Sequence, residues 1–553
     1  MFSRNFALRD HAHWLLAAAV LLIGLPWLGS EGTYHGDERF YTDAALRMIA
    51  DGNAWAPEYA DGSARLNKPL LVYWLIAVPF ELLGPSLFAA RLPFLVAGAL
   101  LVGVTGRLAR ALFPTDPRAP FLAAAIVASN ISLAALAVRS TPDILLALAT
   151  AITWVGIAEL LVGGRPARAA ARWLWLGIGF AAAAKGSLSI VLVLFVVSAI
   201  AVLGGRGAWR ALLLSPWLVA AIALAGVSLV PLWLVDAPLG GPSFVQDQVS
   251  TRLSTSPLEV VGMGLGYSAS LTRHFLPWIL APIILAFANR TALREAWRGH
   301  RRGLVLVLAF TLLMWLVFSA ANLHRGRYLT PIYPAFACAT AVFVPLALDL
   351  RGVRRGVWIL TVLVAVAAGL MALVALRVDI AAAIGAGAAA AVATYCAWKV
   401  SADQRAPAFA IAFGALVLVA VPALRHAFRS GDYARAAAAE RIDAAWGFDA
   451  LTPSILRVLS GGRVDPRSWP ATPSEEDFAR ASVVIARGPA RAALEARGWS
   501  LEQYASRHRN PRIGDLLELL GEPDPSAWLA ERGEPVYFAR RPPAMQPTPP
   551  LDR

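Results

Sequence analysis

Acidic and basic side chains occur together in the polar segment that follows the first apolar run of the chain. Asp37 and Glu38 stand directly after Gly36, and Lys68 lies near the end of the segment, before Pro69. Paired carboxylates can act as a general base, hold a metal ion, or only keep a loop end in water. A lysine ammonium makes a compact point-charge contact to a phosphate. The segment therefore predicts acid–base chemistry beside a phosphate-binding group.

Lysine is rare in this chain, so its few positions are informative. The lysines are Lys68, Lys185 and Lys399, whereas almost every other basic residue is an arginine. Lys185 lies at a break between two apolar runs. A helix end would explain Lys185 and a solvated loop would explain Lys68, but the scarcity of lysine favours a functional phosphate contact at both positions.

A second acidic position opens a later apolar run. The sequence from Arg139 to Asp143 is Arg-Ser-Thr-Pro-Asp. Such residues are an ordinary helix start, and capping alone would explain Asp143. We expect Asp143 on the same membrane face as Asp37 and two of the lysines. This favours a shared site in which Asp143 is a second catalytic carboxylate and Arg139 a substrate-binding cation.

Aromatic and basic residues recur at the expected membrane surface. Arg325 and Arg327 precede Tyr328, and two arginines beside a tyrosine can bind a phosphate. Tyr41 and Tyr73 are further aromatic candidates for substrate binding at this surface. Anchoring at the membrane interface explains all of these residues equally well, so both interpretations stay open.

A membrane protein is needed to bring these residues together. The chain is 58% hydrophobic and 16% charged, which is far from a soluble domain. Apolar runs long enough to cross a bilayer recur along it, and we predict about thirteen spans. They are His13–Gly29, Leu87–Leu112, Phe121–Val138, Ile144–Val162, Trp173–Ala184, Leu188–Leu203, Ala211–Val235, Gly262–Ala288, Gly303–Ala320, Tyr328–Leu348, Val357–Leu376, Ile380–Trp398 and Ala408–Leu424.

Two short runs bear on this count. Trp173–Ala184 is the weakest span because it is short for a full crossing. The run Leu70–Leu83 contains Pro79 and Glu81, and an interfacial helix fits it better than a span.

The arginines predict the orientation of the chain. Loops after even-numbered spans hold most of the basic residues, which places these loops and the N-terminus in the cytoplasm. The Asp37 loop then faces outward. The net charge of +14 is explained by cytoplasmic loops near anionic lipids, so no nucleic-acid partner is predicted. The arginine-rich composition suggests a bacterial inner membrane.

The pattern changes from Arg425 onward, where charges, prolines and short amphipathic runs replace continuous apolar sequence. We predict strands at Ser482–Arg487 and Pro535–Arg541, with helices at Ala490–Arg497 and Ile513–Leu520 between them. The predicted organisation is a membrane domain (1–424) with a periplasmic loop (30–86), a periplasmic α/β domain (425–541) and a disordered tail (542–553).

Several short motifs, in their order along the chain, resemble a known family. They are Gly-Asp37-Glu38-x-x-Tyr41, Lys68-Pro69-x-x-x-Tyr73-Trp74, Ala90-Arg91-Leu92-Pro93, Asp143, Lys185-Gly186 and Arg-Tyr328-Leu-x-Pro331-x-x-Pro334. With them the chain resembles the integral-membrane GT-C glycosyltransferases that use polyprenyl-phosphate sugars, such as lipid A aminoarabinose transferases and protein O-mannosyltransferases. The similarity runs from the first span to about residue 350.

The resemblance implies an α-helical polytopic GT-C fold and an inverting sugar transfer on the periplasmic face. Lys68, Lys185 and Arg327 would stabilise charge on the leaving polyprenyl phosphate. Asp37 would deprotonate or orient the acceptor, and Asp143 would assist it. The donor would be a polyprenyl-phosphate sugar and the acceptor a lipid or a protein.

Two positions depart from the aminoarabinose transferase pattern. Asn67 replaces a glutamate before the Lys-Pro pair, and the Asp247–Arg252 loop lacks a histidine. Both positions are associated with a metal in that branch. The departures argue against a metal here, so no cofactor is predicted and a divalent metal stays only an open alternative.

The sequence is compatible with a glycosyltransferase, a transporter or a structural scaffold. For a glycosyltransferase, a lipid A-type glycolipid is favoured narrowly over a protein as the acceptor. A lipid or sugar transporter would also have many spans and intramembrane charges. A structural membrane scaffold is the third alternative, but it would not require the external acids.

Overall fold

The structure of the chain is a computed structural model. It describes residues 6–65, 68–186, 188–236, 256–320, 326–399, 405–429, 433–439, 441–449, 451–507 and 513–542. Some predicted features lie outside these residues: Asn67, the Asp247–Arg252 loop, the segment 322–325 and most of the tail 542–553.

Up to Arg429 the described residues are mostly helical, because apolar and alanine-rich segments alternate with polar turns. The helices are α1 Phe6–Gly24, α2 Glu38–Ala50, α3 Leu71–Leu83, α4 Leu87–Leu112, α5 Ala119–Ala128, α6 Ile131–Ala137, α7 Pro142–Leu161, α8 Ala167–Lys185, α9 Leu188–Leu203, α10 Gly205–Leu213, α11 Pro216–Asp236, α12 Pro257–Phe275, α13 Leu280–Ala288, α14 Arg290–Gly299, α15 Arg301–Ser319, α16 Tyr333–Leu348, α17 Arg351–Leu376, α18 Ile380–Lys399, α19 Arg405–Ala415 and α20 Val421–Arg429. A 3-10 segment, Gly326–Ile332, leads into α16.

Many of these helices could cross a membrane. Within the described residues, seven spans are long and apolar enough, and three bent helix pairs raise the number to ten if each pair is one span. The bends are 67° between α5 and α6, 52° between α10 and α11, and 91° between α12 and α13. The weak predicted span Trp173–Ala184 is the C-terminal part of α8, which has 19 residues. The predicted interfacial run forms α3, a shorter apolar helix.

Asn130 causes the bend between α5 and α6. Its side-chain oxygen accepts hydrogen bonds from the amides of Ser132 and Leu133, both at 3.1 Å. This caps a new helix and ends the previous one. After α6 a short turn leads to Pro142, whose fixed φ suits the first position of α7. Asp143 is thereby placed in the first turn of a long span.

The helices α7 and α8 pack closely against each other. A methyl group on Gly156 would lie 2.6 Å from the backbone nitrogen of Leu174, and one on Gly177 would lie 2.3 Å from Oγ1 of Thr153. Small residues let membrane helices approach this closely. Because the two helices are joined by a short turn and run antiparallel, the start of α7 lies beside the end of α8.

The core of the bundle surrounds α4, α7 and α16. In the span windows of Leu87–Leu112, Pro142–Leu161 and Gly326–Leu348, 72%, 83% and 83% of the residues are buried. For α17 and α18 the share is 28%. The two peripheral helices therefore leave most of their apolar side chains exposed, as helices that face lipid do.

Beyond Arg429 the described residues form a mixed five-stranded sheet with short helices. The strands are β1 Ala444–Trp446, β2 Arg467–Trp469, β3 Val483–Arg487, β4 Ser500–Arg507 and β5 Glu534–Arg540, in the spatial order β2-β1-β3-β5-β4. Strand β1 pairs parallel with β2 and β3, and β5 pairs antiparallel with β3 and β4. The helices are α21 Tyr433–Ala439, α22 Leu451–Leu459, α23 Glu475–Arg480, α24 Arg491–Glu495, α25 Ile513–Gly521 and α26 Pro525–Arg532.

The two predicted strands are confirmed, since β3 and β5 lie within one residue of the expected bounds and pair with each other. The two predicted helices correspond to α24 and α25. Strands β1, β2 and β4 were not predicted. Strands β1 and β2 have three residues each, too few to show an alternating pattern.

Polar contacts attach α2 to the C-terminal region. Asp43 accepts hydrogen bonds from Nε and an NH2 group of Arg457 at 3.1 and 3.0 Å, and from the Ser454 hydroxyl at 2.9 Å. The Tyr34 hydroxyl lies 2.8 Å from the same serine oxygen. The helix that begins beside Asp37 is therefore held by residues that follow Asp43 by more than 400 positions.

Candidate active site

Asp143 and Lys185 meet where α7 begins and α8 ends. The Lys185 Nζ atom lies 2.5 Å from Oδ1 of Asp143. The two side chains are only 11% and 6% exposed. Because a buried charge is costly unless it is paired, the contact stabilises both groups in this position.

Arg327 connects this pair to Asp37. It lies in the 3-10 segment before α16, and its guanidinium forms an ion pair with the Asp37 carboxylate. Its Nε lies 3.9 Å from Oδ2 of Asp143. Asp37 is the residue before α2. Four separate segments of the chain thus converge, as the sequence led us to expect.

Lys68 and Arg139 add positive charge in the neighbourhood of these groups. Lys68 interacts electrostatically with Asp143. Burial lowers the pKa of Arg139, and neighbouring guanidinium groups, Arg327 among them, lower it further against the opposing effect of Glu38. A cation with so many cationic neighbours favours the approach of an anion.

These six residues form what we call the ion cluster: Asp37, Lys68, Arg139, Asp143, Lys185 and Arg327. Two acids and four bases give it an excess of two positive charges at neutral pH. A phosphate monoester carries close to two negative charges. The cluster is therefore electrostatically suited to a phosphate group.

The three predicted tyrosines lie at or near the cluster. The rings of Tyr41 and Tyr73 are 5.8 Å apart, and both side chains are buried. The Lys185 Nζ atom lies 4.8 Å from the centre of the Tyr328 ring. Tyr328 thus contacts the cluster directly, whereas Tyr41 and Tyr73 form an aromatic wall on α2 and α3.

Arg65, which sequence reasoning missed, lies among aromatic rings. It is only 4% exposed. Its guanidinium carbon is 4.7, 4.9, 5.1 and 6.0 Å from the ring centres of Tyr59, Phe40, Tyr41 and Tyr73. Cation–π contacts of this kind contribute about 0.5–2 kcal/mol each. The density of aromatic residues around a single arginine was the available signal.

Glu38, predicted as catalytic, lies inside the protein instead. Its Oε2 is 2.8 Å from Nε of Arg91, and both side chains are completely buried. Oε2 also accepts hydrogen bonds from the amide and hydroxyl of Ser140 at 3.1 and 3.0 Å, and Oε1 accepts one from the His35 amide at 2.8 Å. Glu38 thus joins the start of α2 to the turn before α7, and this geometry favours a structural role over the predicted catalytic one.

The same contacts set the ionisation of Glu38. Burial raises the pKa of this carboxyl, but the Arg91 guanidinium and the hydrogen bonds from His35 and Ser140 outweigh it and hold the pKa below its ordinary value. We call Glu38, Arg91 and Ser140 the Glu38 network. Its charges balance within the protein.

His35 is a second residue that sequence reasoning missed. Its Nδ1 accepts a hydrogen bond from the Asp37 amide at 3.2 Å, so in the neutral ring the proton is on Nε2. Burial and the Arg139 guanidinium lower the pKa of His35, against the opposing effect of Asp37 and Glu38. The ring therefore adds a neutral donor beside Asp37. Its position two residues before an acidic pair was the only sequence signal.

No metal site is evident in the described part of the chain, where no group of three or more His, Cys, Asp or Glu side chains could hold an ion. The two positions at which the sequence departs from a metal-associated pattern, Asn67 and the Asp247–Arg252 loop, are outside that part.

Part of the chain matches a known family. Residues 67–233 match the family described as dolichyl-phosphate-mannose-protein mannosyltransferase. The matched segment contains Lys68, Arg139, Asp143 and Lys185 of the ion cluster. Asp37 and Arg327 lie on either side of it.

Curated relatives extend the similarity. An undecaprenyl phosphate-alpha-4-amino-4-deoxy-L-arabinose arabinosyl transferase of Pseudomonas aeruginosa is 27% identical over 327 residues, which are 58% of this chain and 56% of the relative. A protein of the same name from Pseudomonas savastanoi pv. phaseolicola is 36% identical over 121 residues, 22% of each chain. The chain thus matches about half the length of its longer-aligned relatives.

Solved structures show the fold over nearly the whole chain. ArnT from Cupriavidus metallidurans bound to undecaprenyl phosphate matches with a TM-score of 0.65 at 18% identity, covering 97% of this chain and 98% of that one. The apo form of the same protein gives a TM-score of 0.64. The chain therefore has the ArnT-like GT-C fold, and its many apolar helices are those of a multi-pass membrane protein. The sequence similarity to aminoarabinose transferases covers about half of the chain, and the likeness in fold covers nearly all of it.

Proposed function

We propose that this chain is an inverting glycosyltransferase that moves a sugar from a polyprenyl-phosphate donor to a lipid A-type glycolipid. The observation that carries the proposal is the ion cluster, where acids and bases from separate segments meet at the ends of membrane helices. The relatives' names, which specify an undecaprenyl phosphate aminoarabinose donor, support the donor class.

The cations of the cluster would bind the donor phosphate. When the bond between the sugar and the phosphate breaks, the phosphate oxygen keeps the electron pair and its negative charge rises. Lys68, Lys185 and Arg327 provide fixed positive charge at that point, and Arg139 adds to it. Each such contact stabilises the transition state by about 3 kcal/mol in a site with little water.

Asp37 would act on the acceptor. Its side chain is 25% exposed while that of Asp143 is 6% exposed, so Asp37 is the more accessible acid. It would take the proton of an acceptor hydroxyl while that oxygen attacks the anomeric carbon opposite the leaving phosphate, which inverts the configuration. If a phosphate is the acceptor there is no proton to remove, and Asp37 would orient the acceptor.

Two residues would position this machinery without touching the substrate. Asp143 holds Lys185 in place through their short contact. Glu38 follows Asp37 directly and is bonded to Ser140, three residues before Asp143. The Glu38 network would therefore fix the distance between the two acids of the cluster.

The proposed topology adds α1, α8 and α9 to the ten candidate spans, which gives thirteen crossings with the N-terminus in the cytoplasm. Arginine-rich loops on one side support this orientation. The ion cluster and the region 425–541 would then both lie in the periplasm, with 1–424 as the membrane domain.

A protein O-mannosyltransferase activity is the second candidate. The observation that favours it is the match of residues 67–233, since that family is described by a mannose donor and a protein acceptor. The two candidates share the donor chemistry and differ in the acceptor.

The test uses purified protein in detergent without an ion gradient. We expect transfer of aminoarabinose from undecaprenyl phosphate to lipid A, with release of undecaprenyl phosphate and a loss of at least about 100-fold in the Asp37→Asn variant. Mannosyl transfer to a serine-containing peptide would support the second candidate. Failure to release sugar from either donor would contradict both and favour a transporter.

A further inference from the structure

A cavity of about 680 Å³ lies outside the ion cluster, between α2 and the C-terminal region. It is lined by Arg39, Phe40 and Asp43 of α2, by the turn from Tyr59 to Ser63, and by residues 453–468. Small-molecule sites commonly have volumes of about 300–1,000 Å³. The cavity can therefore take a sugar head group of one or two rings.

Both arginine and aspartate side chains line this cavity. Arg457 forms ion pairs with Asp43 at 3.0 Å and with Asp465 at 3.1 Å. Arg39 also lines the cavity, and its guanidinium carbon lies 4.5 Å from the centre of the Phe40 ring. Guanidinium groups bind phosphate strongly, so Arg39 suits an anionic ligand in this cavity.

The cavity also has an aromatic side. The rings of Phe40 and Tyr59 both line it, 6.0 Å apart and nearly perpendicular. The carbon–hydrogen faces of a sugar ring can pack on such rings, while carboxylates such as Asp61 can accept hydrogen bonds from its hydroxyls. Aromatic rings with mixed charges suit a charged sugar better than an acyl chain.

This cavity and the ion cluster share α2 as a common wall. Successive helical residues are about 100° apart, so Arg39 and Asp43 lie on the side of α2 opposite to Asp37 and Tyr41. Arg65 connects the two sides, because it contacts Phe40 on the cavity side and Tyr41 on the other.

We propose that this cavity binds the phosphorylated sugar head group of the acceptor. The inference rests on the proposed function, since it names the second substrate class of the same reaction. The donor phosphate binds the ion cluster on one side of α2. The acceptor head group binds on the other side, and its reacting oxygen reaches Asp37 around the first turn of the helix.

The experiment measures binding to the full-length protein in detergent by calorimetry, with glucosamine phosphate as a soluble head-group probe and undecaprenyl phosphate as a donor-site probe. The variants are Arg39→Gln and Tyr59→Leu. The charge-matched control is Arg480→Gln, because Arg480 is a 65% exposed arginine of α23 outside the cavity. We expect each cavity variant to bind glucosamine phosphate at least tenfold more weakly than wild type does. Both variants should bind undecaprenyl phosphate with wild-type affinity. The control should bind both probes with wild-type affinity.

Several results would overturn the inference. They are equal glucosamine phosphate binding in wild type and both cavity variants, equally tight binding of inorganic phosphate, and displacement of the probe by a serine-containing peptide. Failure of the wild-type protein to bind undecaprenyl phosphate would contradict the proposed function. The cavity would still be tested in that case, by comparing the affinity of wild type and the cavity variants for glucosamine phosphate.

Discussion

The ion cluster and the Glu38 network contain the same kinds of side chain and begin at adjacent residues, yet their surroundings are opposite. Glu38 and Arg91 are completely buried, and both carboxylate oxygens are bonded within the protein. Asp37 and Arg327 remain 25% and 20% exposed. Adjacent acids of the same kind therefore differ in what surrounds them: Glu38 is enclosed by protein groups, whereas Asp37 is partly open to a ligand.

Charge balance gives the same contrast. The Glu38 network pairs one carboxylate with one guanidinium, whereas the ion cluster has two more positive than negative charges. An internal pair with matched charges needs no ligand. An unmatched group at the end of membrane helices favours one, which is why substitutions in the two regions should affect different properties.

The largest expected effect is on turnover in the ion cluster. Asp37→Asn should lower the rate of transfer by about 100- to 10,000-fold, because the amide can neither accept a proton nor supply the charge that orients the acceptor, while the unfolding temperature stays near that of wild type. Initial rates at saturating donor measure this. Asp51→Asn, at the exposed opposite end of α2, is the matched control, and near-normal turnover of Asp37→Asn would remove this residue from catalysis.

The Glu38 network should respond in stability rather than in chemistry. Glu38→Ala leaves the buried Arg91 guanidinium without its counter-charge and should lower the free energy of unfolding by about 3–5 kcal/mol. A double variant, Glu38→Leu with Arg91→Met, should recover most of that loss. Unfolding curves in mild detergent test both. A stable but inactive Glu38→Ala protein would instead assign Glu38 to the ion cluster.

A smaller effect is expected at the donor phosphate. Lys185→Met should weaken the binding of undecaprenyl phosphate about 10- to 100-fold, since hydrogen bonds to charged groups contribute about 1.5–3 kcal/mol. Lys399→Met, at the exposed end of α18, should bind normally. Lys185→Arg keeps the charge, so its affinity for undecaprenyl phosphate should lie between those of Lys185→Met and Lys399→Met. Unchanged binding in Lys185→Met would mean that its ammonium only balances Asp143.

The smallest expected effect is that of pH on stability near neutral pH. The pKa of Glu38 is held below its ordinary value of about 4.3, so its stabilising effect is complete above that value and lost as the pH falls through the lower folded pKa. From about pH 5 to 8, the difference between the unfolding temperatures of wild type and Glu38→Gln should stay constant.

Below about pH 4, wild type should lose stability faster than Glu38→Gln, because the glutamine does not titrate. Unfolding temperatures across the acid range measure this difference. A wild-type loss already near pH 6 that the glutamine variant lacks would indicate a raised pKa and would contradict the buried ion pair.

Sequence reasoning succeeded where a single physical signal dominates. Long apolar runs correctly indicated the membrane helices, and β3 and β5 have clear apolar character. It failed where local chemistry interrupts such a run. Asn130 divides one expected span into α5 and α6, and this bend does not follow from hydropathy. The helix α2 was not expected either, because it mixes charged and apolar residues.

The grouping of the cluster followed from topology, because Asp37, Lys68, Asp143 and Lys185 were all expected on one face of the membrane. The role of Glu38 could not be read in the same way. Two consecutive residues at a helix start point about 100° apart, so adjacent acids can have opposite environments. The partner of Glu38, Arg91, lies in another helix, and only the fold brings them together.

The bonds from Ser454 and Arg457 to Asp43 join an early segment of the chain to a late one. A ribosome makes Asp43 long before Arg457, so during synthesis α2 carries a carboxylate whose partner does not yet exist. We expect the helix beside Asp37 to reach its final position only when translation has passed the C-terminal sheet. A nascent chain would then be inserted but idle until it is complete.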